Sequence, residues 1–357
     1  MRALSIVHVV FSSRIAGGEH HCVDLANAQA ALGHTVHVIA PAKSAVQGVL
    51  NPNVQFHGLA LPLMRGLRVR RLAQRLQADV VHGHLGPACK AVSWVADAAR
   101  LGTLHVGFKA HQHARLDGLV CVNSRQVGDL KDFDGLHRVI HNWAPDRREG
   151  TGERTQRVGT LRQELGIPVL APVIGCVGRL HETKGMHRLI EAFRQQAPAD
   201  AHLVLIGEGP QRAELEAQCE GEDRIHLIGF RWNVDELLAE MDLYVSSSLE
   251  EAFPLAILEA MRAGLPIVAT ATIGAREMLQ DEQATIVPLD DIQALGQGIA
   301  DALRARARTG RAPIAYAMER FDRGAAVQST LGLYREVLAR LPVVASDLAF
   351  SPEEVRG

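Results

Sequence analysis

The chain has 357 residues, of which 47 % are apolar and 22 % charged, and its formal net charge at pH 7 is −2. This length fits two domains, and the composition is ordinary for a soluble globular protein. No apolar stretch approaches the length of a membrane span, which leaves at most attachment to a membrane surface. The five cysteines show no C-x-x-C pair, which predicts reduced thiols in a cytoplasmic protein.

The net charge conceals an asymmetry between the two parts of the chain. Residues 1–145 carry fifteen Lys and Arg against eight Asp and Glu, a formal charge of +7, which leaves −9 for the remainder. Thirteen of the 17 histidines also fall in the first part. The two parts therefore face different chemical partners, or the basic part faces an anionic surface.

Short β-branched runs alternate with helical patterns along the first part. Strands are predicted at 3–11, 35–40, 53–58, 79–84, 103–107, 118–122 and 137–141. Amphipathic helices are predicted between them, at 19–32, 65–76, 86–100 and 124–131. Such alternation is typical of a parallel sheet that helices cover on both faces.

A second series of strands follows a polar, linker-like segment at 145–160. Its strands are predicted at 172–180, 202–207, 224–229, 242–247, 266–270 and 284–288. Helices are predicted after them at 291–306, 313–320 and 324–341. Two such series predict an α/β protein with two doubly wound domains, whose ligands bind at the carboxyl ends of the strands, in the cleft between the domains.

The domain boundaries follow from this alternation. We predict a first domain, a linker, a second domain and a polar tail, with the helix at 324–341 packing back on the first domain. The predicted ranges are 1–145, 146–168, 169–323 and 342–357.

The loop "GCVGRLHETKG" (175–185) follows the first strand of the second domain. It presents Arg179 and Lys184, and Gly178 and Gly185 permit tight backbone turns. Two cations beside the start of a helix suit a diphosphate, because Arg binds two oxygens and Lys adds a point charge. The alternative is a solvated basic loop.

Two other loops follow strands of this domain. In "LIGEGPQRAEL", Gly207 begins a G-x-G-P turn that either contacts a ligand or allows tight packing. In "GFRWNVDELL", Phe230, Arg231 and Trp232 could form a platform for a nucleotide base. The alternative is a surface turn with Asn233 as the helix cap.

The segment "DFD" at 132–134 resembles the Asp-x-Asp pair that binds divalent metals beside nucleotide sugars. It follows a polar helix end instead of a buried strand, which favours a solvated turn. No other carboxylate or histidine spacing suggests a metal, so neither a metal nor another cofactor is expected.

The stretch "EEAFPLAILEAM" (250–261) carries acids in an apolar context. Pro254 suits the first turn of a helix, so Glu251 belongs to the entering loop and Glu259 lies inside the helix. A carboxylate buried there needs strong hydrogen-bond donors. The alternative is a Glu259 exposed on a polar stripe.

Together these motifs resemble the retaining glycosyltransferases of family 4, which have the two-Rossmann GT-B architecture. The match runs over about 172–290 through "VGRLHETKG", "LIGEGPQRAELE", "HLIGF", "DLYVSSSLEEAFPLAILEAMRAGLPIVAT" and "IGAREML". The first part matches more loosely, through "IAGGEHHCVDLANAQAALGHTVHVI", "ADVVHGHLG", "GTLHVGF" and "VNSR". Ala252 departs from the pattern, because the family usually has glycine there.

The resemblance implies roles for the acidic pair and the cations. Glu251 and Glu259 form the E-x7-E motif, in which Glu259 binds the ribose hydroxyls and Glu251 faces the transferred sugar. Arg179, Lys184 and the start of the helix stabilise the leaving diphosphate, and the reaction retains the anomeric configuration without a metal. Residues expected to bind the donor are Gly17, Gly18, Gly178, Gly207, Phe230, Arg231, Phe253, Pro254, Leu255 and Glu259.

In the first domain, the resemblance implies that "GGEHH" (17–21) is a glycine turn that contacts phosphate or acceptor, although a turn alone is the alternative. Glu19, His20 and His84 are expected on the acceptor side. His105 best matches the family histidine that lines the donor sugar, and His84 comes second. A satisfied strand-end histidine is the alternative for His84, while His82 is expected to face inward.

We therefore expect a cytoplasmic enzyme that transfers a sugar, from a UDP-sugar by preference, to a glycoconjugate such as lipopolysaccharide core. A non-hydrolysing UDP-sugar 2-epimerase of the same architecture is the alternative. An NAD-dependent enzyme lacks support, because no G-x-G-x-x-G follows the first strand. A binding-only relative is disfavoured by the complete set of charged site residues. No nucleic-acid partner is expected.

The stretch "LMRGLRVRRLAQRLQ" (63–77) combines a basic face with an apolar one. Such a helix can lie on the anionic inner face of the cytoplasmic membrane and serve a lipid-linked acceptor. The alternative is a core-facing helix with a solvated basic face. The residues concerned are Arg65, Arg68, Arg70, Arg71 and Arg75 beside Leu63, Leu67, Val69, Leu72 and Leu76.

Overall fold

A computed structural model of the protein describes residues 2–61, 63–144, 161–280 and 282–341. Within these ranges the chain forms two parallel sheets flanked by helices, so the predicted α/β class is confirmed. The segment 145–160, which makes up most of the predicted linker, and the predicted tail at 342–357 lie outside the described residues.

The first sheet has seven strands within the described ranges, in the order β3-β2-β1-β4-β5-β6-β7, and all neighbours are parallel. Apolar β-branched residues bury β1 and β4 on both faces, which is what a central strand of a doubly wound sheet requires. The strands are β1 Ser5–Val10, β2 Thr35–Pro41, β3 Val54–Leu59, β4 Val80–His84, β5 Ala99–Leu104, β6 Gly118–Cys121 and β7 Leu136–Val139.

Four α-helices accompany this sheet in the described ranges up to residue 144: α1 Gly17–Ala31, α2 Arg65–Arg75, α3 Gly86–Val92 and α4 Ala110–His113. The predicted helix at 86–100 is wrong beyond Val92, because the chain turns and then forms β5 from Ala99. Alanines favour a helix locally there, and pairing with β4 overrides that preference. Residues 124–129, predicted as a helix, form a 3₁₀ turn.

The second sheet has six strands within the described ranges, in the order β10-β9-β8-β11-β12-β13, again all parallel. Its strands are β8 Val173–Val177, β9 His202–Ile206, β10 Ile225–Leu227, β11 Leu243–Ser246, β12 Ile267–Thr270 and β13 Thr285–Val287. The helices around it are α5 Leu161–Leu165, α6 Met186–Gln196, α7 Arg212–Cys219, α8 Val234–Ala239, α9 Leu255–Arg262, α10 Ile273–Met278 and α11 Ile292–Arg308.

The last described helix, α12 (Arg323–Arg340), returns to the first sheet. It packs against β5, β6, β7 and α1, and buries Tyr334 completely. An ion pair between Arg138 and Glu336 adds a contact at the edge, at 2.7 Å. The chain therefore crosses between the two units twice. The helix predicted at 313–320 is instead a 3₁₀ turn at Met318–Phe321.

Direct hydrogen bonds join the loops that follow β6 and β7 to the second unit. The Asn123 amide donates to the Ala252 carbonyl at 2.9 Å, and the Asn142 amide donates to the Phe253 carbonyl at 3.2 Å. The Glu277 carboxylate accepts from the Ser124 N–H at 2.9 Å. The carboxyl ends of these strands therefore face the loop that precedes α9.

Helix α2 uses its apolar face inside the first domain, where Val69, Leu72 and Ala73 are buried against α3. The alternative of a core-facing helix is thus correct for the apolar face of α2. Leu63 and Met64 at its start remain exposed. Among the described helices, none combines the length and apolar character needed to cross a bilayer.

Candidate functional site

Glycines set the backbone of the loops at the carboxyl edge of the second sheet. Gly207 has φ +144°, and a Cβ atom there would overlap the Gly178 carbonyl oxygen. Gly185 has φ +61°, and a Cβ atom there would overlap the Ser247 carbonyl oxygen. Both positions require glycine, because neighbouring loops meet backbone to backbone. For Gly207 the close packing is itself a sufficient reason for the residue.

Lys184 and Glu251 form an ion pair at this edge. Lys184 ends a 3₁₀ turn at Glu182–Lys184, and its carbonyl accepts from the Ser247 hydroxyl at 2.9 Å. The loops after β8 and β11 therefore meet because their strands are neighbours in the sheet. Burial lowers the pKa of Lys184 to about 8, and the neighbouring Cys176 thiol acts in the opposite direction.

Arg179 lies on the same loop but makes no comparable contact. Its side chain is exposed, and it forms no hydrogen bond or ion pair with the described residues. The structure therefore brings Lys184 and Glu251 together, while Arg179 remains available at the rim.

Glu259 lies one turn inside α9 and is 2 % exposed. Its neighbours Leu258 and Ala260 are completely buried. The alternative of an exposed Glu259 on a polar stripe is therefore wrong. Its charge also acts on Tyr244, whose pKa is raised above its usual range by burial, then by the Cys176 thiol and by this carboxylate.

The entry to α9 is formed by Phe253, Pro254 and Leu255. Pro254 is the N-cap residue, with φ −72° and ψ 116°, so the helix starts one residue later than the sequence predicts. Phe253 is buried and stacks on His141, with ring centres 5.1 Å apart. A Cβ atom on Gly17 would lie 3.6 Å from Leu255, so the glycine turn of the first domain faces this helix start.

The glycine turn itself is held by a buried acid. Glu19 is 5 % exposed and accepts a hydrogen bond from the Ala16 N–H at 2.9 Å, which ties the turn to the first turn of α1. His20 is half-buried. A Cβ atom on Gly18 would lie 3.5 Å from the His105 ring, which places this glycine beside the predicted donor-site histidine.

A chain of hydrogen bonds runs inward from His105. Its Nε2 lies 3.3 Å from Nδ1 of His84, and Nε2 of His84 lies 3.0 Å from Nδ1 of His8. Nε2 of His8 lies 2.8 Å from the Gln29 amide oxygen. His84 is thus completely buried and bonded on both nitrogens, as the strand-end alternative expected. His82 faces inward, towards Tyr334 and Thr103.

The aromatic pair after β10 is accessible. Phe230 is 45 % and Trp232 43 % exposed, and their rings meet edge to face with centres 4.8 Å apart. Arg231 between them forms an ion pair with Glu164. Asn233 is the N-cap residue of α8, as the surface-turn alternative expected, and its amide donates to the Glu236 carboxylate at 3.0 Å instead of its side chain capping the backbone.

Several residues of the site are not predicted from the sequence, although Glu277 stands inside the quoted motif "IGAREML". Asn142 and Glu277 hold the domains together, and Gln29 ends the histidine chain. Asn123 stands inside the motif "VNSR", which could have indicated it. Asp132 and Asp134 are exposed in a turn. Among the described residues, the side-chain groups that are spaced to hold a metal ion both include His84.

Comparison with known proteins places this geometry in a family. The Glycosyltransferase Family 4 model matches residues 15–148, and the Glycosyl transferases group 1 model matches residues 171–305. The two matches cover every described strand except β1, and most of the loops described above.

Two relatives that align over most of this chain are named as mannosyltransferases. The lipopolysaccharide core biosynthesis mannosyltransferase LpsB of Rhizobium meliloti (strain 1021) is 25 % identical, over 83 % of this chain and 86 % of that protein. The phosphatidyl-myo-inositol mannosyltransferase of Mycobacterium leprae (strain TN) is 26 % identical, over 92 % of this chain and 95 % of that protein.

A solved structure, Anabaena Alr3699/HepE in complex with UDP-glucose, superposes with a TM-score of 0.73 at 22 % identity, covering 95 % of this chain and 100 % of that chain. This likeness confirms the predicted GT-B fold of two Rossmann-like domains. The chain therefore belongs to the family 4 glycosyltransferases and is a glycosyltransferase enzyme.

Proposed function

We propose that this enzyme transfers a sugar from a nucleotide sugar, preferably a UDP-sugar, to a growing cell-envelope glycan such as the lipopolysaccharide core. The observation that carries the proposal is Glu259, a carboxylate buried at 2 % exposure within an otherwise apolar helix. The relative named as a lipopolysaccharide core mannosyltransferase and the similar structure with UDP-glucose support the acceptor and donor classes.

Glu259 binds the donor ribose in this proposal. A desolvated carboxylate gains most from strong donors, and the two ribose hydroxyls supply a matched pair. The exposed rings of Phe230 and Trp232 offer an apolar surface for the base. The ion pair between Arg231 and Glu164 fixes this loop, so Arg231 acts by positioning the rings.

Lys184 and Arg179 receive the diphosphate, together with the backbone N–H groups at the start of α9. Lys184 is neutralised by Glu251 before the donor binds. A diphosphate beside the ammonium takes over part of that interaction, which releases Glu251 to accept hydrogen bonds from the transferred sugar. Gly178 and Gly207 keep the floor of this site free of side chains.

The reaction breaks the bond between the anomeric carbon and the diphosphate oxygen, and the diphosphate leaves with the electron pair. The acceptor hydroxyl attacks from the side the leaving group vacates, so the configuration is retained, and its proton passes to the leaving phosphate. The cations stabilise the charge that develops on the diphosphate. His105 lines the donor sugar, and no metal is required.

Gly17 and Gly18 contact the donor, and the acceptor approaches from the first domain past His20. Glu19 acts on this surface indirectly, because its carboxylate already holds the glycine turn through the Ala16 N–H. His84 is likewise buried, so its influence on the reaction passes through His105.

A lipid-linked acceptor would require the enzyme at the inner face of the cytoplasmic membrane. The basic side chains of α2 are close to an exposed apolar patch of Leu61, Leu63, Met64 and Trp94. This patch, instead of the buried stripe of α2, would enter the headgroup region, while the arginines attract anionic lipid at about 1 kcal/mol each.

Vesicle sedimentation tests the membrane part of the proposal. Binding is expected on vesicles with anionic lipid, weakened by salt and by replacement of Arg68, Arg70 and Arg71 with Glu. Replacing Arg304 and Arg308 on α11 by Glu is the matched control and should leave binding unchanged. Equal binding to neutral vesicles, or none at low salt, would contradict it.

Product analysis tests the reaction. Incubation with UDP-sugars and lipopolysaccharide-core acceptors should release UDP only when acceptor is present, and NMR should show retention at the anomeric carbon. Formation of a 2-epimer without acceptor would instead indicate the epimerase alternative. Release of UDP with inverted product would contradict the retaining mechanism.

A further inference from the structure

Three histidines from different elements converge beside the glycine turn. They are His21 on α1, His84 at the end of β4 and His105 just after β5, and one ring nitrogen of each lies within 4.8 Å of the others. His21 and His84 are buried, whereas His105 is half-buried, so the group opens on the side of His105.

The hydrogen-bond chain behind this group assigns the protons. The Gln29 amide nitrogen donates to the Tyr334 hydroxyl at 3.5 Å, so its oxygen accepts from Nε2 of His8. His8 is completely buried, which favours its neutral ring, so its Nδ1 accepts from Nε2 of His84. Nδ1 of His84 therefore carries a lone pair that points towards His105.

His21 contributes a nitrogen that the protein leaves unsatisfied. Its Nδ1 is buried and has no hydrogen-bond partner among the described residues. Its ring lies 5.0 Å from the His105 ring, centre to centre. Buried polar atoms are rarely left without a partner, and such an exception points to a missing ligand.

We propose that His21, His84 and His105 form a binding site for a divalent transition-metal ion of the zinc class. Imidazole nitrogens lie about 2.0–2.1 Å from zinc, so two ligands of a tetrahedral ion are about 3.3–3.4 Å apart. Nδ1 of His84 and Nε2 of His105 are 3.3 Å apart. His8 is the outer partner that orients His84, as metal-bound histidines commonly require.

The donor set decides the class of ion. Three neutral imidazoles suit Zn²⁺, Co²⁺, Ni²⁺ or Cu²⁺, whereas Mg²⁺ and Ca²⁺ prefer oxygen. The neighbouring group of His8, Cys22 and His84 is a poorer site, because both His8 nitrogens are bonded and burial raises the pKa of the Cys22 thiol. On metal binding, the His105 proton moves from Nε2 to Nδ1, so no net proton is released.

We expect a metal ion bound at this site to inhibit sugar transfer, and this expectation rests on the proposed function. A metal ion that holds His105 removes this side chain from the donor sugar, so metal and donor compete. Three protein ligands leave a fourth position for water.

Metal titration of the whole chain, without a polyhistidine tag and after chelator treatment, tests the site directly. Zn²⁺ is added in a calorimeter, and Co²⁺ is followed through the visible absorption band of tetrahedral coordination. One equivalent should bind to the unmodified protein, and His21→Gln and His105→Gln should each weaken binding at least tenfold. His202→Ala is the matched control, because His202 and His226 form a stacked pair in the second domain. Nδ1 of His202 lies 3.0 Å from Nε2 of His226.

Circular dichroism establishes whether each variant is folded. If His21→Gln does not fold, His105→Gln still tests the site, because His105 is only half-buried. Equal affinity in His21→Gln, His105→Gln and the unmodified protein would overturn the proposal, as would loss of binding in His202→Ala. Binding is measured without donor or acceptor. Metal binding without inhibition would therefore support the site and count against the role of His105 in donor binding.

Discussion

Substitution of Glu259 by Gln tests the ribose assignment most directly. The side chain is 2 % exposed in α9, and Gln preserves its volume and the packing of the helix. Two charge-assisted hydrogen bonds, worth about 1.5–3 kcal/mol each, would be replaced by at most one neutral bond of about 0.5–1.5 kcal/mol. The loss of about 2.5–4.5 kcal/mol corresponds to a UDP dissociation constant roughly two to three powers of ten higher.

Calorimetry with UDP measures this change, and a thermal melt shows whether the variant is folded. Glu191→Gln is the matched control, because Glu191 is exposed on α6, where it accepts a hydrogen bond from the Gln195 amide at 3.1 Å. Its affinity for UDP should equal that of the unmodified protein. A folded Glu259→Gln variant that binds UDP within about threefold of the unmodified protein would refute the ribose assignment.

Three further predictions concern the cations and the metal. Arg179→Ala and Lys184→Ala should each lower kcat by about one to two powers of ten, with a smaller effect on donor affinity. Both side chains stabilise charge that develops late in the reaction. Equal losses in donor affinity and in kcat would contradict this prediction. Since the pKa of Lys184 is lowered to about 8, its charge is lost as pH rises, so kcat/KM should fall about tenfold per unit above pH 8, and Lys184→Ala should abolish this decline. EDTA should leave transfer intact in a direct assay, whereas a complete loss that manganese restores would overturn the metal-free mechanism.

The fold could be predicted from the sequence because the pattern of a strand followed by a helix is repeated along the chain. Each β-branched run followed by an amphipathic stretch independently indicates a strand and a covering helix. The failure at β5 has a local cause, since the preceding segment is rich in alanine and helix propensity is determined by near neighbours. Its strand character comes from pairing with β4 and β6, which no window of sequence contains.

The residues of the candidate site also fall into two groups, those that one continuous segment of sequence indicates and those that only the fold brings together. The spacing of Glu251 and Glu259 indicates the acidic pair, because both lie on one continuous segment. The ion pair between Lys184 and Glu251 could not be inferred until the strand order placed β8 beside β11. The histidine chain is harder still to predict, because it depends on Gln29 near the end of α1 and on Tyr334 from α12, 305 residues later.

The loop that precedes α9 links these observations. Its Ala252 and Phe253 carbonyls accept hydrogen bonds from the first domain, while the Glu251 side chain is held by Lys184 of the second. The position of Glu251 therefore depends on both domains at once. A rotation of the domains that preserves the bonds from Asn123 and Asn142 is expected to move this carboxylate relative to Glu259. Under the proposed roles of these two acids, closure of the cleft would then align the transferred sugar through one short segment of backbone.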